Sequence, residues 1–377
     1  MKNNSALYIH IPFCDHKCIY CDFYSIITSD NVDNFLSSLK KEIRFFSDKY
    51  SDGRIFTTVF FGGGTPSLMN SDYLKIIIDE LNKNFSISHD AEITLETNPG
   101  TVDLIKLKEF REAGINRISI GIQSFNEDEL KFLTRIHDKQ TAINTVNNAV
   151  DADFENISID LIFNLPGQTK EQWQSNLNVA ASLPVKHISA YSLILERGTI
   201  LNKMVLDGSV KIPDNDYDAD LYELTIEHLV KSGFLQYEVS NFALPGYECE
   251  HNKAYWEHRE YLGFGTSAHS FMNGRRWWNY SSLKRYIAET EHNNHAVMNE
   301  EVLSEKQIHD EYVMLAIRSK GLILNDYINR FQNDWINKNY NYFKVLKNEN
   351  FLTMNSSIIK LTSKGYAVCD EILKNIL

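Results

Sequence analysis

Three cysteines lie close together near the start of the chain, at Cys14, Cys18 and Cys21. Cysteine thiolates hold iron–sulfur clusters, and a [4Fe-4S] cluster normally takes four of them. The spacing here places three thiolates on one short loop with no fourth cysteine nearby, so one iron would stay open to another ligand. The sequence therefore predicts a [4Fe-4S] cluster whose open iron can bind a chelating cofactor.

A structural zinc site and ordinary core packing are the alternative explanations for these cysteines. Zinc sites usually combine two Cys-x-x-Cys pairs, and the sequence has no distant second pair, although His16 inside the loop could complete a Cys3His set. The chain has five cysteines, an odd number that does not suggest a disulfide framework. Of the other two, Cys369 is expected in the core, whereas Cys249 is either a buried side chain or a further thiolate ligand.

Alternating strand and helix patterns fill the chain from residue 7 to about residue 195. Several predicted strands are continuous apolar runs, which are typical of parallel strands buried on both faces. Six strand–helix units in succession predict an α/β fold with a parallel sheet, either open or curled toward a barrel. The predicted strands are 7–11, 57–62, 92–96, 117–122, 157–163 and 187–193, and the predicted helices are 33–48, 72–84, 103–112, 127–132, 140–151 and 170–181.

The pattern changes after residue 200, where a helix is predicted at 214–232 and Asn273-Gly274 predicts a two-residue hairpin. Further on, helices and a small strand pair indicate a winged-helix-like α+β module, with elements at 304–318, 325–348, 351–354, 358–361 and 362–376. We therefore predict three parts, namely the barrel-like part, its extension and the C-terminal module, at 1–200, 201–300 and 301–377.

Length, charge and hydropathy exclude several classes of protein. The chain has 377 residues, of which 43% are hydrophobic, and a formal net charge of −12. Nucleic-acid-binding proteins usually carry a basic face, so we expect no nucleic-acid partner. No apolar run approaches the ~18 residues of a membrane span, and the first residues lead into a predicted strand rather than a signal peptide. We therefore expect a cytoplasmic protein.

The cysteine motif, which follows a first predicted strand, resembles the signature of the radical S-adenosylmethionine (SAM) enzymes. This resemblance implies a partial (β/α)6 barrel, in agreement with the six predicted strand–helix units. Further motifs resemble the oxygen-independent coproporphyrinogen III oxidase group, and the likeness extends over nearly the whole chain. These motifs lie at residues 8–14, 61–67, 121–125 and 160–169.

Two families share those motifs, the coproporphyrinogen III dehydrogenases and the heme chaperone HemW family. The dehydrogenases carry an additional cysteine two residues after the third, where this chain has Phe23, and a longer segment before the motif than the thirteen residues that precede Cys14. Residues 251–256, His-Asn-Lys-Ala-Tyr-Trp, match the His-Asn-x-x-Tyr-Trp heme-binding motif of the chaperones. The sequence therefore resembles the HemW family more closely than the dehydrogenases.

The resemblance implies which residues would bind SAM. Gly63 and Gly64 follow a strand, where backbone groups can approach a ligand closely, although a tight turn alone would also explain them. Arg135 would pair with the methionyl carboxylate, and Gln123 and Asp160 would contact ribose hydroxyls. Several of these residues follow predicted strands, at the end where βα barrels build their sites. The full implied set is Tyr8, Tyr20, Gly63, Gly64, Thr65, Glu96, Gln123, Arg135 and Asp160.

The second motif implies a heme site. Histidine is a usual axial ligand of heme iron, and aromatic rings can stack on a porphyrin. The predicted heme-binding residues are therefore His251, Tyr255 and Trp256. A hydrogen-bonded structural histidine is the alternative explanation of His251.

The function that the resemblance implies is a heme chaperone that binds heme, a [4Fe-4S] cluster and SAM, and transfers heme to an acceptor protein. A respiratory membrane protein as acceptor would make the chaperone peripherally membrane-associated, and the family also leaves a homodimer open. Two other functions stay open. One is radical SAM decarboxylation of coproporphyrinogen III to protoporphyrinogen IX. The other is a zinc- or cluster-stabilised scaffold whose C-terminal module binds a partner.

Overall fold

The computed structural model describes residues 3–28, 30–332 and 334–377. Within these residues the main feature is a twelve-stranded sheet, in which six neighbouring strands run parallel and are joined by helices. The elements of this part are β1 (Asn3–Ile11), α1 (Val32–Tyr50), β2 (Arg54–Gly63), α2 (Ser71–Asn84), β3 (Ile87–Thr97), α3 (Leu104–Glu112), β4 (Arg117–Gln123), α4 (Glu127–Phe132), α5 (Lys139–Asp151), β5 (Asn156–Phe163), α6 (Lys170–Ser182) and β6 (His187–Ser192). The six predicted strand–helix units are confirmed.

Side chains alternate between two faces along the parallel strands. One face packs against the helices and is apolar, with Ile9, Phe61 and Ile159 fully buried there. We call the opposite side the inner face. Its members pair across neighbouring strands and are largely polar: Tyr8, His10, Thr58, Phe60, Glu92, Thr94, Glu96, Arg117, Ser119, Asp160 and His187. The strands are thus covered on both faces, as predicted, but only one of those faces is apolar.

Further strands extend the sheet at both edges. Beyond β1 the order is β9 (Tyr261–Gly265), β10 (His269–Met272), β11 (Arg275–Asn279) and β12 (Val297–Val302), with β9 parallel to β1 and the rest antiparallel. Beyond β6 lie β8 (Asn241–Ala243) and then β7 (Leu235–Gln236). The predicted hairpin is confirmed, since Asn273 and Gly274 form the turn between β10 and β11 with φ of 52° and 71°, the backbone that this turn type requires.

Four helices lie between β6 and the C-terminal module. They are α7 (Ile200–Leu206), α8 (Asn215–Lys231), α9 (Glu250–Trp256) and α10 (Leu283–Asn293). The helix predicted at 214–232 corresponds to α8, whereas α7 was not predicted. In the described part of the chain no helix combines the length and the apolarity needed to cross a bilayer.

The C-terminal module has its own core and a small antiparallel sheet in the order β13-β15-β14. Its elements are α11 (Glu305–Ile317), β13 (Leu322–Ile323), α12 (Leu324–Arg330), α13 (Trp335–Asn348), β14 (Leu352–Met354), β15 (Ile358–Leu361), α14 (Ser363–Ala367) and α15 (Cys369–Ile376). This is the predicted winged-helix-like arrangement, although the helices predicted at 325–348 and 362–376 are each two helices. Residue 333 lies outside the described residues, and the three-part division remains a prediction.

Glu42, on α1, is fully buried and joins this helix to the strands beyond β1. Its carboxylate accepts hydrogen bonds from the backbone N–H of Gly265 at 2.9 Å, and from the Asn279 amide and the Tyr286 hydroxyl at 2.6 Å each. Burial raises the pKa of Glu42 to about 7, even though the three donors oppose the shift. The carboxyl group therefore takes up a proton on folding in mildly acidic solution.

We expect Glu42→Gln to destabilise the protein by about 1–3 kcal/mol, because an amide cannot accept all three hydrogen bonds. Since the pKa of Glu42 is higher in the folded state, the stability that it contributes falls as the pH rises toward 7. The difference in unfolding free energy between parent and variant should therefore decrease from about pH 5.5 to about pH 7.5. Denaturant titrations at both pH values measure it, and a pH-independent difference would contradict the assignment.

Candidate functional site

A cavity of about 380 Å³ opens on the inner face, at the carboxyl ends of the parallel strands. Parallel strands bring their following loops together at this end, which is why residues distant in sequence meet there. The cavity is lined by all three motif cysteines and by eight of the nine residues predicted to bind SAM, namely Tyr20, Gly63, Gly64, Thr65, Glu96, Gln123, Arg135 and Asp160. Tyr8 and the predicted heme-binding residues do not line it.

The loop that carries the cysteines leaves the end of β1 and returns to it. The backbone N–H of Ile26 donates to Pro12 O at 2.8 Å, and the N–H of Cys14 donates to Ile26 O at 2.9 Å, so both ends of the loop are fixed. The three cysteines are free and partly exposed. His16 lines the same cavity, and its Nε2 lies 3.3 Å from Thr134 Oγ1.

Polar groups surround the cysteine sulfurs. Cys14 Sγ lies 3.2 Å from Thr65 Oγ1, and Arg135 Nη1 donates to Cys18 Sγ at 3.5 Å. Burial raises the pKa of the Cys21 thiol. Within the described residues, no three His, Cys, Asp or Glu side chains surround a single ion position. A cubane cluster does not require such a position, because each thiolate binds a different iron. The donor set therefore fits a cluster bound through three cysteines.

The glycines after β2 pack directly against β1 and the start of the cysteine loop. Gly63 has a φ of 115°, and a Cβ there would lie 2.7 Å from the His10 ring; a Cβ on Gly64 would lie 2.5 Å from Phe13 O. The backbone N–H groups of Gly64 and Thr65 donate to Ile11 O and Phe13 O at 2.8 Å and 2.7 Å. Chain packing alone thus requires glycine here, and the same glycines line the cavity.

Asn98 connects two of the predicted residues and was missed by the sequence analysis. Its amide donates to Thr65 Oγ1 at 3.0 Å, and its Oδ1 accepts from Arg135 Nη2 at 2.7 Å. The same Nη2 donates to Gly121 O at 2.6 Å, whereas the buried Nε of Arg135 has no hydrogen-bond partner. The position of Asn98 directly after β3, two residues beyond the predicted Glu96, is the signal that could have identified it.

Two carboxyl groups lie close to one another on the cavity floor. Burial, and then the charge of nearby Asp160, raises the pKa of Glu96 to about 8, and the Gly63 N–H donates to Glu96 Oε2 at 3.2 Å. Burial also raises the pKa of Asp160, to which Ser119 Oγ donates at 3.4 Å. Gln123 adopts a φ of 70°, a strained conformation of the kind found at binding sites. The floor therefore suits a cationic ligand with hydroxyl groups.

The two tyrosines predicted to contact SAM occupy different places. Tyr20 is half-buried at the cavity wall, and desolvation raises the pKa of its hydroxyl above the usual range. Tyr8 lies on the inner face away from the cavity, with its hydroxyl 3.1 Å from His10 Nδ1 and its ring centroid 6.3 Å from that of His251. Its contact with SAM remains a prediction.

The heme motif lies on α9, and its histidine is only 2% exposed. His251 Nδ1 lies 2.8 Å from Thr58 Oγ1 and Nε2 lies 3.1 Å from the Tyr255 hydroxyl, so both ring nitrogens have partners. Burial, and then the charge of Arg117, lowers the pKa of His251 to about 3. The imidazole is therefore neutral and belongs to the polar network of the inner face.

The neighbouring cysteine is a buried thiol. Cys249 Sγ donates to Glu92 Oε1 at 3.4 Å, and burial raises the pKa of Cys249 to about 12. Glu92 also accepts from the backbone N–H groups of Glu250 and His251 at 3.2 Å and 3.1 Å, which fixes the start of α9. Cys249 is thus a buried side chain, the first of the two alternatives given by the sequence. Cys369 lies in the core of the C-terminal module, as predicted.

We expect Gly63→Ala to prevent the close contact between β2 and the His10 ring and to reduce cluster incorporation. Gly208→Ala is the matched control, because Gly208 also has a positive φ, of 79°, but no atom lies within 4 Å of an added Cβ. Both variants should lose the ~1 kcal/mol associated with a positive φ, and only Gly63→Ala should lose bound iron and sulfide after anaerobic reconstitution. Equal iron content in both variants would contradict this role of Gly63.

Comparison with known proteins gives a consistent result. The sequence model of the Radical SAM superfamily matches residues 8–180. Heme chaperone HemW of Lactococcus lactis is 35% identical over 100% of this chain and 98% of its own length, and that of Bacillus subtilis is 34% identical over 97% of each chain. The solved structure of coproporphyrinogen III oxidase (HemN) from Escherichia coli superimposes with a TM-score of 0.84 over 100% of this chain and 90% of its own, at 24% identity. The structural match confirms the predicted radical SAM fold, and the chain belongs to the heme chaperone HemW family of radical SAM proteins.

Proposed function

We propose that the protein is a heme chaperone. It binds a [4Fe-4S] cluster through Cys14, Cys18 and Cys21, holds SAM at the open iron, and transfers heme to an acceptor protein. The observation that carries the proposal is that three free cysteines and eight of the nine predicted SAM residues line one and the same cavity. The names of the full-length relatives support the chaperone role. A cytoplasmic location, a membrane-associated acceptor and a homodimer belong to the same proposal.

The groups around the cysteines suit thiolate ligands. The Thr65 hydroxyl and the Arg135 guanidinium lie next to the sulfurs of Cys14 and Cys18, and a nearby cation or donor lowers the cost of deprotonating a thiol. When bound, the cluster supplies one-electron chemistry and an iron open to a further ligand. The protein contributes the fixed loop and the charge that balances the thiolates.

The cavity offers complementary groups for each end of SAM. Asn98 and Gly121 O hold the Arg135 guanidinium in one orientation, so little freedom is lost when a carboxylate binds to it. Its buried, unpartnered Nε is available to such a carboxylate. Glu96 and Asp160 lie where an ammonium group or ribose hydroxyls would be bound, and a cation would favour the ionised form of Glu96.

Phe23 supports the chaperone over the dehydrogenase. It occupies the position of the additional cysteine in the dehydrogenases, lines the cavity and is 62% exposed. A phenyl ring cannot provide a thiolate, so any reaction that needs that cysteine is not available to this chain. The exposed ring instead adds apolar surface at the cavity entrance.

His251 is the proposed axial ligand of heme, together with Tyr255 and Trp256 as stacking partners. A neutral imidazole is the form that binds heme iron, and the low pKa of His251 keeps it neutral. In this structure its nitrogens face Thr58 and Tyr255. Coordination of heme by His251 therefore requires α9 to open away from β2.

The experiment is a titration of the anaerobically reconstituted protein with hemin, followed by absorption. We expect the parent to bind one equivalent, and His251→Ala to bind more weakly or with a shifted Soret band. His187→Ala is the matched control, since His187 is also buried on the inner face with hydroxyl partners on both nitrogens, Ser158 at 2.7 Å and Tyr237 at 2.8 Å. It should lose similar stability and keep the parental spectrum.

Three results would overturn parts of the proposal. Identical hemin spectra and affinities for parent and His251→Ala would remove His251 as ligand. Absence of saturable hemin binding would remove the chaperone function. Anaerobic conversion of coproporphyrinogen III to protoporphyrinogen IX, with consumption of SAM, would show that the protein is the dehydrogenase instead.

A further inference from the structure

Glu92, on β3, holds the first turn of α9 against the inner face of the barrel. Its side chain is 9% exposed, and its carboxylate accepts hydrogen bonds from the Cys249 thiol at 3.4 Å and from the backbone N–H groups of Glu250 and His251 at 3.2 Å and 3.1 Å. The N–H groups in the first turn of a helix have no partner within the helix itself. A carboxylate from a distant strand therefore caps α9, and its charge also favours the positive end of the helix dipole.

Side-chain burial contributes little to the attachment of α9. Of the seven residues described for this helix, only His251 and Ala254 are buried. The His251 ring stacks on Phe60, with centroids 4.9 Å apart, and its Nδ1 lies 2.8 Å from the hydroxyl of Thr58, the register neighbour of Glu92 on β2. The position of α9 therefore depends mainly on the contacts of one histidine ring and on the hydrogen bonds to Glu92.

Arg117, on β4, is the cation beside Glu92. It is 2% exposed, and its Nε lies 3.8 Å from Glu92 Oε2, which is too far for a hydrogen bond. It pairs with Thr94, which lies between Glu92 and Glu96 on the inner face of β3. Arg117 thus balances the charge of Glu92 without occupying its oxygens, which remain available to the donors of α9.

We propose that Glu92 is a positioning residue of the heme site, because by holding α9 it keeps His251 against Thr58 and withholds the imidazole from heme. This inference rests on the proposed function, in which coordination of heme by His251 requires α9 to open. The closed arrangement and an open, heme-binding one are then two states in equilibrium. The affinity for hemin is the affinity of the open state reduced by the fraction of molecules in that state. Weakening the contacts of Glu92 therefore strengthens hemin binding.

The test compares hemin titrations of the parent and of Glu92→Gln, each as the anaerobically reconstituted full chain. An amide has one acceptor oxygen, and its NH2 group would face the donors of α9. We expect Glu92→Gln to bind hemin about tenfold more tightly than the parent, which is the effect of losing one hydrogen bond to a charged group in the closed state only. Glu92→Asp, whose carboxylate is one methylene shorter, should gain affinity in the same direction. A residue that only stabilised the fold would give a loss of affinity instead.

Control variants show whether the gain arises at α9. Glu42→Gln also removes a buried carboxylate that accepts three hydrogen bonds, but Glu42 lies on α1, which packs against the apolar face of the sheet. It should bind hemin as the parent does. The double variant Glu92→Gln with His251→Ala should show no gain over His251→Ala alone. Hydrogen–deuterium exchange without hemin is a second measurement, in which the amides of residues 249–256 should exchange faster in Glu92→Gln than in the parent or in Glu42→Gln.

The outcomes separate this inference from the function on which it rests. Saturable hemin binding by the parent, without a gain in either folded Glu92 variant, would overturn the role of Glu92 and leave heme binding intact. Parental exchange of the 249–256 amides in Glu92→Gln would overturn it as well. A gain that persists without His251, or that Glu42→Gln shares, would also overturn it. No saturable hemin binding by the parent or by either Glu92 variant would overturn the heme function and, with it, this role of Glu92.

Discussion

The contact between the cysteine loop and the glycines after β2 is the constraint on which the candidate site depends. Gly64 and Thr65, which follow β2, donate backbone hydrogen bonds to the carbonyl oxygens of Ile11 and Phe13. These bonds fix the start of the cysteine loop, which follows the neighbouring strand β1. No side chain fits between them, since a Cβ on Gly64 would meet Phe13 O at 2.5 Å. Backbone geometry therefore fixes where the cysteine loop begins at the edge of the cavity.

The polar inner face is the second requirement of this architecture. A parallel sheet with apolar residues on both faces would be more stable but would leave no ionisable groups for a ligand. Here the helix-facing side chains form the core, and the inner face holds the carboxyl groups of Glu96 and Asp160 at the cavity. The same face continues away from the cavity into the network of Thr58 and His251. The cofactor site and the heme motif thus share one polar surface.

The features that could be predicted from the sequence are those that depend on residues close together in the chain. The cysteine motif and the order of six strand–helix units follow from short-range pattern, and both are present in the structure. Long-range contacts were not predictable in this way: the parallel pairing of β9 with β1 joins segments more than 200 residues apart, and the burial of His251 depends on Thr58 from β2. Asn98 was missed because its role appears only when Thr65 and Arg135 are brought together.

Electron paramagnetic resonance of the anaerobically reconstituted and reduced protein, recorded with and without SAM, tests the assignment of the cavity most directly. We expect a [4Fe-4S] signal whose g-values change when SAM is added, because SAM would bind the iron that Cys14, Cys18 and Cys21 leave open. A cluster signal that SAM does not alter, or a protein that incorporates no cluster although it is folded, would contradict the assignment of the cavity.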